Sequence, residues 1–299
     1  MSVRPRILLT GGSGQVGWEL RRSLLALGEV IEPDRERYDL CRPERLARLI
    51  RDLKPRWVVN PAAYTAVDKA ESEPERCQRI NAIAPAVLAE AAHAVGAGFI
   101  HFSTDYVFDG AKHSPYTEDD PTAPLNWYGT TKLEGEQAVA DVSRDGAWLV
   151  LRTGWVYGGR GHNFVRTMQR LMSEKTQLTV VDDQIGAPTW ARSIADVAAQ
   201  VLAYCQSPSA MAEYAGVYHV SCAGATSWYG FASRIRDRLL AAGMEAVAEL
   251  SPTDSAGYPT PAARSPYSVL DNSKLARRFG LVLPPWEEAF MLAAPEFGL

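Results

Sequence analysis

Short apolar runs alternate along the chain with stretches whose apolar residues recur every three or four positions, which predicts strands and helices in turn. Arg6–Leu9 is the first such run; a glycine cluster follows at once, and Val16, Leu20, Leu24 and Leu27 then recur at helical spacing until Gly28, read as the residue that closes the helix. The alternation continues with a strand at 30–31, a helix after Pro43 carrying Leu46, Leu49, Ile50 and Leu53, and a strand at 57–59. A long helix is expected over about 74–95, then a strand at 99–102, a helix at 127–140 and a strand at 148–151. Strands separated in this way by helices pack as an α/β fold with a doubly wound parallel sheet.

Beyond Arg152 the pattern loosens. Glycines cluster between Gly154 and Gly161, and a helix at 164–172 and a strand at 178–181 open a second, smaller lobe. Further helices are expected at 193–204 and, with Ser227 as N-cap, at 228–242, whereas 252–266 is rich in proline and reads as irregular. The apolar segment 218–220 is expected to return to the main sheet.

Composition narrows the function classes. Of 299 residues 46% are apolar and 22% charged, the usage of an ordinary globular protein, which argues against disorder and fibrous classes. The net charge is −4 and basic residues are scattered singly, so neither nucleic acid nor an anionic membrane surface is an expected partner. No apolar stretch reaches the roughly 20 residues needed to cross a bilayer, and the start runs into a strand and a glycine turn instead of a cleavage site, so a cytoplasmic location is expected. Cys41, Cys77, Cys205 and Cys222 stand far apart, which supports reduced thiols over disulfides or a zinc site.

The segment TGGSGQVG places Gly11, Gly14 and Gly17 between a strand and a helix opened by Gln15 and Val16, where backbone amides can approach a pyrophosphate. Gly12, Gly14 and Gly17 also satisfy the GxGxxG spacing, so the glycines alone do not separate one Rossmann subfamily from another. An acidic residue about 20 positions on usually holds the adenosine ribose. Asp34 is assigned there; Arg35 beside it could pair with a 2′-phosphate, so NADH and NADPH both stay open. Asp39 and Leu40 lie where the next loop could cover the adenine, and Ala62, Ala63, Tyr64 and Thr65, after the third strand, would pass under the nicotinamide half. Residues 1–153, with a return segment near 190–222, are therefore read as the NAD(P)-binding Rossmann domain, and 154–299 as mainly a substrate-binding lobe.

Tyr128 and Lys132 are four apart, so on a helix both project from one face. Such a pair could equally be a surface contact. Thr104, at the end of the preceding strand, changes the weighing: a hydroxyl, a phenol and an ammonium beside a dinucleotide cradle are the set that carbonyl reduction needs. Tyr128 would donate the proton to the oxygen that gains negative charge, and Lys132 would bring its pKa toward neutrality.

These residues resemble the extended short-chain dehydrogenase/reductase family, with TGGSGQVG, NPAAYTAVD, STDYVFDG and YGTTK in its order. Within it, STDYVFDG, TAPLNWYG, RTGWVYG, GHNFVRTM and DDQIGAPT are similar to the dTDP-4-dehydrorhamnose reductases across essentially the whole chain. The resemblance implies reduction of the C4 keto group of dTDP-4-dehydro-6-deoxy-L-mannose to dTDP-L-rhamnose, with Thr104, Asp105 and Tyr128 on the sugar. It further implies Trp155 as a sugar platform, with Asn163, Phe164 and the segment around Gln184 bordering the nucleotide sugar. Asn60–Pro61–Ala62 departs from the usual NAA, and RSPYS from Arg264 departs from an RP-type motif. Some relatives dimerise around magnesium; Glu19 and Glu296 match two ligand positions, but Arg192 fills the third and should repel the ion, so no bound metal is expected and a monomer or weak homodimer is. Two rivals share the fold: a sugar-nucleotide epimerase or dehydratase, whose glycine turn usually reads GFIG, and a non-catalytic subunit like the regulatory one of methionine adenosyltransferase.

Overall fold

The computed structural model describes residues 4–299; residues 1–3, the first of the segment read above as running into a strand, lie outside them. The first half runs β1 (Arg6–Leu9), α1 (Gln15–Ser23), β2 (Glu29–Ile31), α2 (Pro43–Leu53), β3 (Trp57–Asn60), α3 (Val67–Ala70), α4 (Pro74–Gln78), α5 (Ala84–Ala94), β4 (Gly98–Thr104), α6 (Trp127–Val142) and β5 (Trp148–Thr153). The second continues β6 (Val156–Tyr157), α7 (Phe164–Glu174), β7 (Gln177–Val181), β8 (Ile185–Gly186), β9 (Thr189–Trp190), α8 (Ala191–Cys205), α9 (Pro208–Ala212) and β10 (Gly216–His219). It ends with β11 (Thr226–Ser227), α10 (Trp228–Ala241), β12 (Glu249–Thr253), α11 (Ser273–Phe279) and α12 (Trp286–Ala293).

Six strands form a sheet in the order β10-β5-β4-β3-β1-β2, every neighbouring pair parallel. Apolar residues stand on both faces, as a sheet covered on both sides requires. Ile7, Leu9, Val59, Ile100 and Leu151 pack with Ile194, Ala198 and Leu202 of α8 on one face; Leu8, Val58, Phe99 and Val150 pack with Leu46 and Ile50 of α2 and Leu88 of α5 on the other. The strand order reverses between β1 and β3, so the loops after these strands open a crevice at the carboxyl edge, where such sheets bind ligands.

Three sequence expectations change. The first helix ends at Ser23 and passes into a short 3-10 turn, so Gly28 does not cap it; Gly28 instead lies under the Pro5 carbonyl, with no room for a Cβ. The helix expected over 74–95 contains a π turn at Arg79–Ile83, because Pro85 has no N–H to bond the carbonyl four residues back. That freed Asn81 carbonyl lies 2.1 Å from where a Cβ on Gly135 would stand, so α6 approaches closely there. Glu249–Thr253 is a strand despite Pro252, pairing in parallel with β7 in a two-stranded ribbon, where a missing N–H is tolerated. A separate apolar cluster, with Tyr157, Met168, Met172, Phe231, Ile235 and Phe290, holds the helices and ribbons of the second half together.

Candidate active site

Gly11 has φ 60° and its missing Cβ would lie 2.9 Å from the Ala62 Cβ; a Cβ on Gly17 would lie 2.0 Å from the Gly11 carbonyl oxygen. Glycine is therefore required at both positions for the turn to close on itself. The N-cap of α1 is Gly14, which supplies no side-chain oxygen, and no acidic residue follows in the first turn. The leading amides and the positive helix end thus face the crevice unsatisfied, which suits a pyrophosphate. Val16 packs into the core, and Gln15 Oε1 accepts a bond from Asn163 Nδ2 at 3.1 Å.

The acidic side chain at this turn is Glu32, not Asp34. A Cβ on Gly12 would lie 2.0 Å from Glu32 Oε2, and Glu32 pairs with Arg21 at 2.5 Å. Asp34 accepts from the Glu36 amide at 3.1 Å and Asp39 from the Cys41 amide at 2.9 Å, each stabilising its own exposed turn. Arg35 is exposed beside Asp34, and Leu40 packs against the core under α2. Counting about 20 residues from Gly12 reaches Glu32, so the signal was present in the sequence.

After β3, Ala62 and Ala63 are half-buried and Thr65 is exposed. Tyr64 is held by a residue that sequence reading missed: its amide donates to Asn81 Oδ1 at 2.8 Å, and Asn81 Nδ2 donates back to the Tyr64 carbonyl at 3.0 Å. Asn81 sits in the π turn, which turns its amide toward this loop.

Tyr128 stands in the first turn of α6, which Asn126 caps by accepting from the Gly129 amide at 2.8 Å. Its phenol meets the Thr104 hydroxyl and packs edge-on against Tyr106. Thr104 Oγ1 donates to Asp105 Oδ1 at 3.1 Å. Burial pushes the Tyr128 phenol well above its ordinary pKa; the Thr104 hydrogen bond opposes this, and the Asp105 carboxylate adds to it. Asp105 is itself pushed up to about 6 by burial, against hydrogen bonds from Ser268 and Thr104.

Lys132 lies one turn along the helix, yet its Nζ donates to the Phe102 carbonyl at 2.6 Å and lies 3.1 Å from His101 Nε2. Burial lowers its pKa to about 8, with the Glu136 carboxylate opposing. The expectation that Lys132 draws the Tyr128 pKa toward neutrality is not met, because the ammonium is bonded to β4 and burial governs the phenol.

On the second-lobe side, Trp155 takes a left-handed φ of 50° and stacks flat on Trp228, with ring centroids 3.4 Å apart. Phe164 leans on Trp228 at 4.6 Å, and Trp228 Nε1 donates to Gln184 Oε1 at 3.2 Å. Trp228 is thus a member of the aromatic wall that sequence reading took only as the first residue of a helix. Asn163 is buried and caps α7 through the Arg166 amide at 3.1 Å, while its Nδ2 donates to the Gly158 carbonyl at 2.8 Å.

A family model described as the RmlD substrate binding domain matches residues 5–297. The chain belongs to this family. The dTDP-4-dehydrorhamnose reductase of Burkholderia thailandensis is 52% identical over 288 residues, which cover 95% of this chain and 96% of that one. The crystal structure of a dTDP-4-dehydrorhamnose reductase from Clostridium acetobutylicum shares 37% identity at a TM-score of 0.89, over 98% of this chain and 100% of that one. The Bacillus anthracis dTDP-4-dehydrorhamnose reductase solved in complex with NADP shares 32% identity at a TM-score of 0.89, again over 98% of this chain and 100% of that one.

The residues expected to depart from the family pattern make defined contacts in this structure. Arg264, in RSPYS, forms a two-pronged pair with Asp68, NH1–Oδ1 2.7 Å and NH2–Oδ2 3.0 Å, and also reaches the Tyr106 hydroxyl. It therefore fastens the segment before Ser268 to the helix after β3. Arg192 lies between the two carboxylates, 3.0 Å from Glu19 and 2.6 Å from Glu296, and Glu296 also accepts from the Gly159 amide at 2.9 Å. A guanidinium occupies the space between Glu19 and Glu296. Pro61 follows Asn60 in a half-buried loop.

Proposed function

We propose that this protein reduces the C4 keto group of dTDP-4-dehydro-6-deoxy-L-mannose to dTDP-L-rhamnose, using NADPH or NADH. The observation that carries the reading is the Thr104–Tyr128 hydroxyl pair at the carboxyl edge of the sheet, beside a helix start left uncapped by glycine. When bound, the reduced nicotinamide supplies a hydride to the carbonyl carbon. The oxygen left with negative charge takes its proton from Tyr128, and the high pKa imposed by burial ensures that this proton is in place at neutral pH. Thr104 holds the sugar oxygen against the phenol, and Asp105 and the Trp155 face orient the ring.

Gly11, Gly14, Gln15 and Val16 would hold the pyrophosphate, and Glu32 would take the ribose hydroxyls, with Asp34, Arg35, Asp39 and Leu40 bordering the adenine and Ala62, Ala63, Tyr64 and Thr65 under the nicotinamide half. A carboxylate at the ribose favours NADH, and Arg21 and Arg35 nearby temper that preference toward NADPH. Residues 1–153, with the return near 190–222, form the cofactor side and 154–299 mainly the sugar side. We place the protein in the cytoplasm, as a monomer or weak homodimer without a metal bridge; among the described residues no helix is long and apolar enough to cross a membrane.

The test is consumption of reduced cofactor by the purified protein with the dTDP-ketosugar, run with each cofactor. Steady consumption over many equivalents is expected. Stoichiometric bound NAD without net consumption would instead support an epimerase or dehydratase, and no turnover would support a binding role. Tyr128→Phe should lower kcat by roughly 10²- to 10⁴-fold while leaving cofactor binding within a few-fold; an unchanged kcat would remove Tyr128 as proton donor.

A further inference from the structure

Lys132 stands one helical turn from the proton donor Tyr128, and its neighbour His101 has no task in the reaction as described. His101 lies in β4 with its side chain wholly enclosed. An ammonium has three N–H donors. Two of those on Lys132 are turned toward the Phe102 carbonyl at 2.6 Å and His101 Nε2 at 3.1 Å, so one is left for another acceptor. The ring is fixed from its other side: Nδ1 lies 3.3 Å from the Asn60 carbonyl oxygen and 3.1 Å from the Asn60 side-chain amide. The Asn60 side chain in turn accepts from the hydroxyl of Thr10, the residue before the glycine turn. Thr10, Asn60, His101 and Lys132 are all buried, so polar contacts run from the cofactor turn across three strands to the catalytic helix. Burial and the Lys132 charge keep the imidazole neutral. Because an ammonium can only donate, Nε2 is the acceptor, and the Nδ1–H of the neutral ring then points at the Asn60 main-chain carbonyl oxygen.

We propose that His101 is the positioning residue for Lys132: its Nε2 lone pair aims the ammonium and keeps it protonated at the pH where the reductase works. This rests on the reductase site proposed above, with Lys132 on the helix of the proton donor Tyr128. The titratable groups that act on Lys132 are Glu136 on its own helix, Cys77 on α4 and His101 on β4, and Tyr128 lies one turn before it on α6. Glu136 is already bonded on both oxygens by Arg152 of β5, at 2.7 to 3.1 Å, which weakens its hold on the lysine. His101 is then the direct acceptor that the sheet supplies beside the Phe102 carbonyl.

The chain has only six lysines, so their side-chain ε-carbons can be followed individually by NMR in protein labelled with ¹³C-lysine. One resonance, absent in Lys132→Met, should titrate near pH 8 in the unaltered protein. In His101→Leu or His101→Met, two apolar replacements of which one folded example suffices, its midpoint should fall by about one unit. In His101→Gln, whose amide oxygen can accept, it should stay within a few tenths. The alkaline limb of kcat against pH should move down with the apolar variants and stay in place with Gln. A Lys132 titration unchanged in a folded apolar variant overturns the proposal, even if the ketosugar is reduced normally. If the unaltered protein reduces no ketosugar, the proposed reaction fails while the NMR titration still decides whether His101 governs Lys132.

Discussion

At the scale of single residues, Asp105 has a measurable consequence. Its carboxyl is buried beside Tyr128 and pushed up from 3.8 to about 6, so the fold disfavours its charge. A group with a raised folded pKa contributes stability that is complete below its unfolded pKa and lost as pH rises through the folded one. The protein should therefore lose up to about 3 kcal/mol between pH 4 and pH 6 from this group. Asp105→Asn should remove that slope and raise stability at pH 7, while impairing sugar reduction; denaturant unfolding at several pH values measures both. An unfolding midpoint at pH 7 that falls in this variant contradicts a disfavoured charge. The same residue illustrates what a sequence conveys. Thr104, Tyr128 and Lys132 could be named because helix spacing and a strand end bring them to one edge. The direction in which the Lys132 ammonium points could not, since it depends on His101, 31 positions away on a different element.

At the scale of elements, the inner strands of the main sheet were legible because each carries an apolar run buried on both faces. The two-residue strands β6, β8, β9 and β11 carry too little pattern to be read, and Pro252 concealed β12. The π turn was hidden for another reason: Pro85 signals a disturbed helix, but only packing shows that Asn81 turns to clasp Tyr64. Helix caps lie between these cases. Ser227 was read as a cap, and it accepts from the Gly230 amide at 2.9 Å. Asn163 was read as a substrate neighbour, and its side chain caps α7 while binding Gly158 and Gln15. Asn163→Ala should destabilise the protein by about 1–2 kcal/mol, lowering the thermal midpoint by a few degrees. Asn163→Asp preserves the capping oxygen and should recover most of that loss in a calorimetric scan. Equal destabilisation by both variants would show that the Gly158 and Gln15 bonds outweigh the cap.

At the scale of the molecule, the Glu19–Arg192–Glu296 cluster ties α1, the start of α8 and the carboxyl-terminal turn into one point, stacked against Trp190. Its charges sum to −1, and the cation between the carboxylates belongs to the chain itself. A divalent ion entering there would have to displace a guanidinium ion-paired with both acids, and would meet its positive charge. The unaltered protein should therefore sediment as the same species in magnesium and in EDTA; a dimer that EDTA dissolves would sink this reading. Arg192→Glu reverses the balance, since three carboxylates would face one another without a cation. That variant should melt lower than the unaltered protein in EDTA, because like charges this close repel. Magnesium should restore part of the loss, because oxygen ligands suit it and binding to the folded form alone stabilises by mass action. If magnesium leaves the Arg192→Glu melting point unchanged, the backbone around Glu19 and Glu296 is shaped for the guanidinium and cannot adapt to a metal.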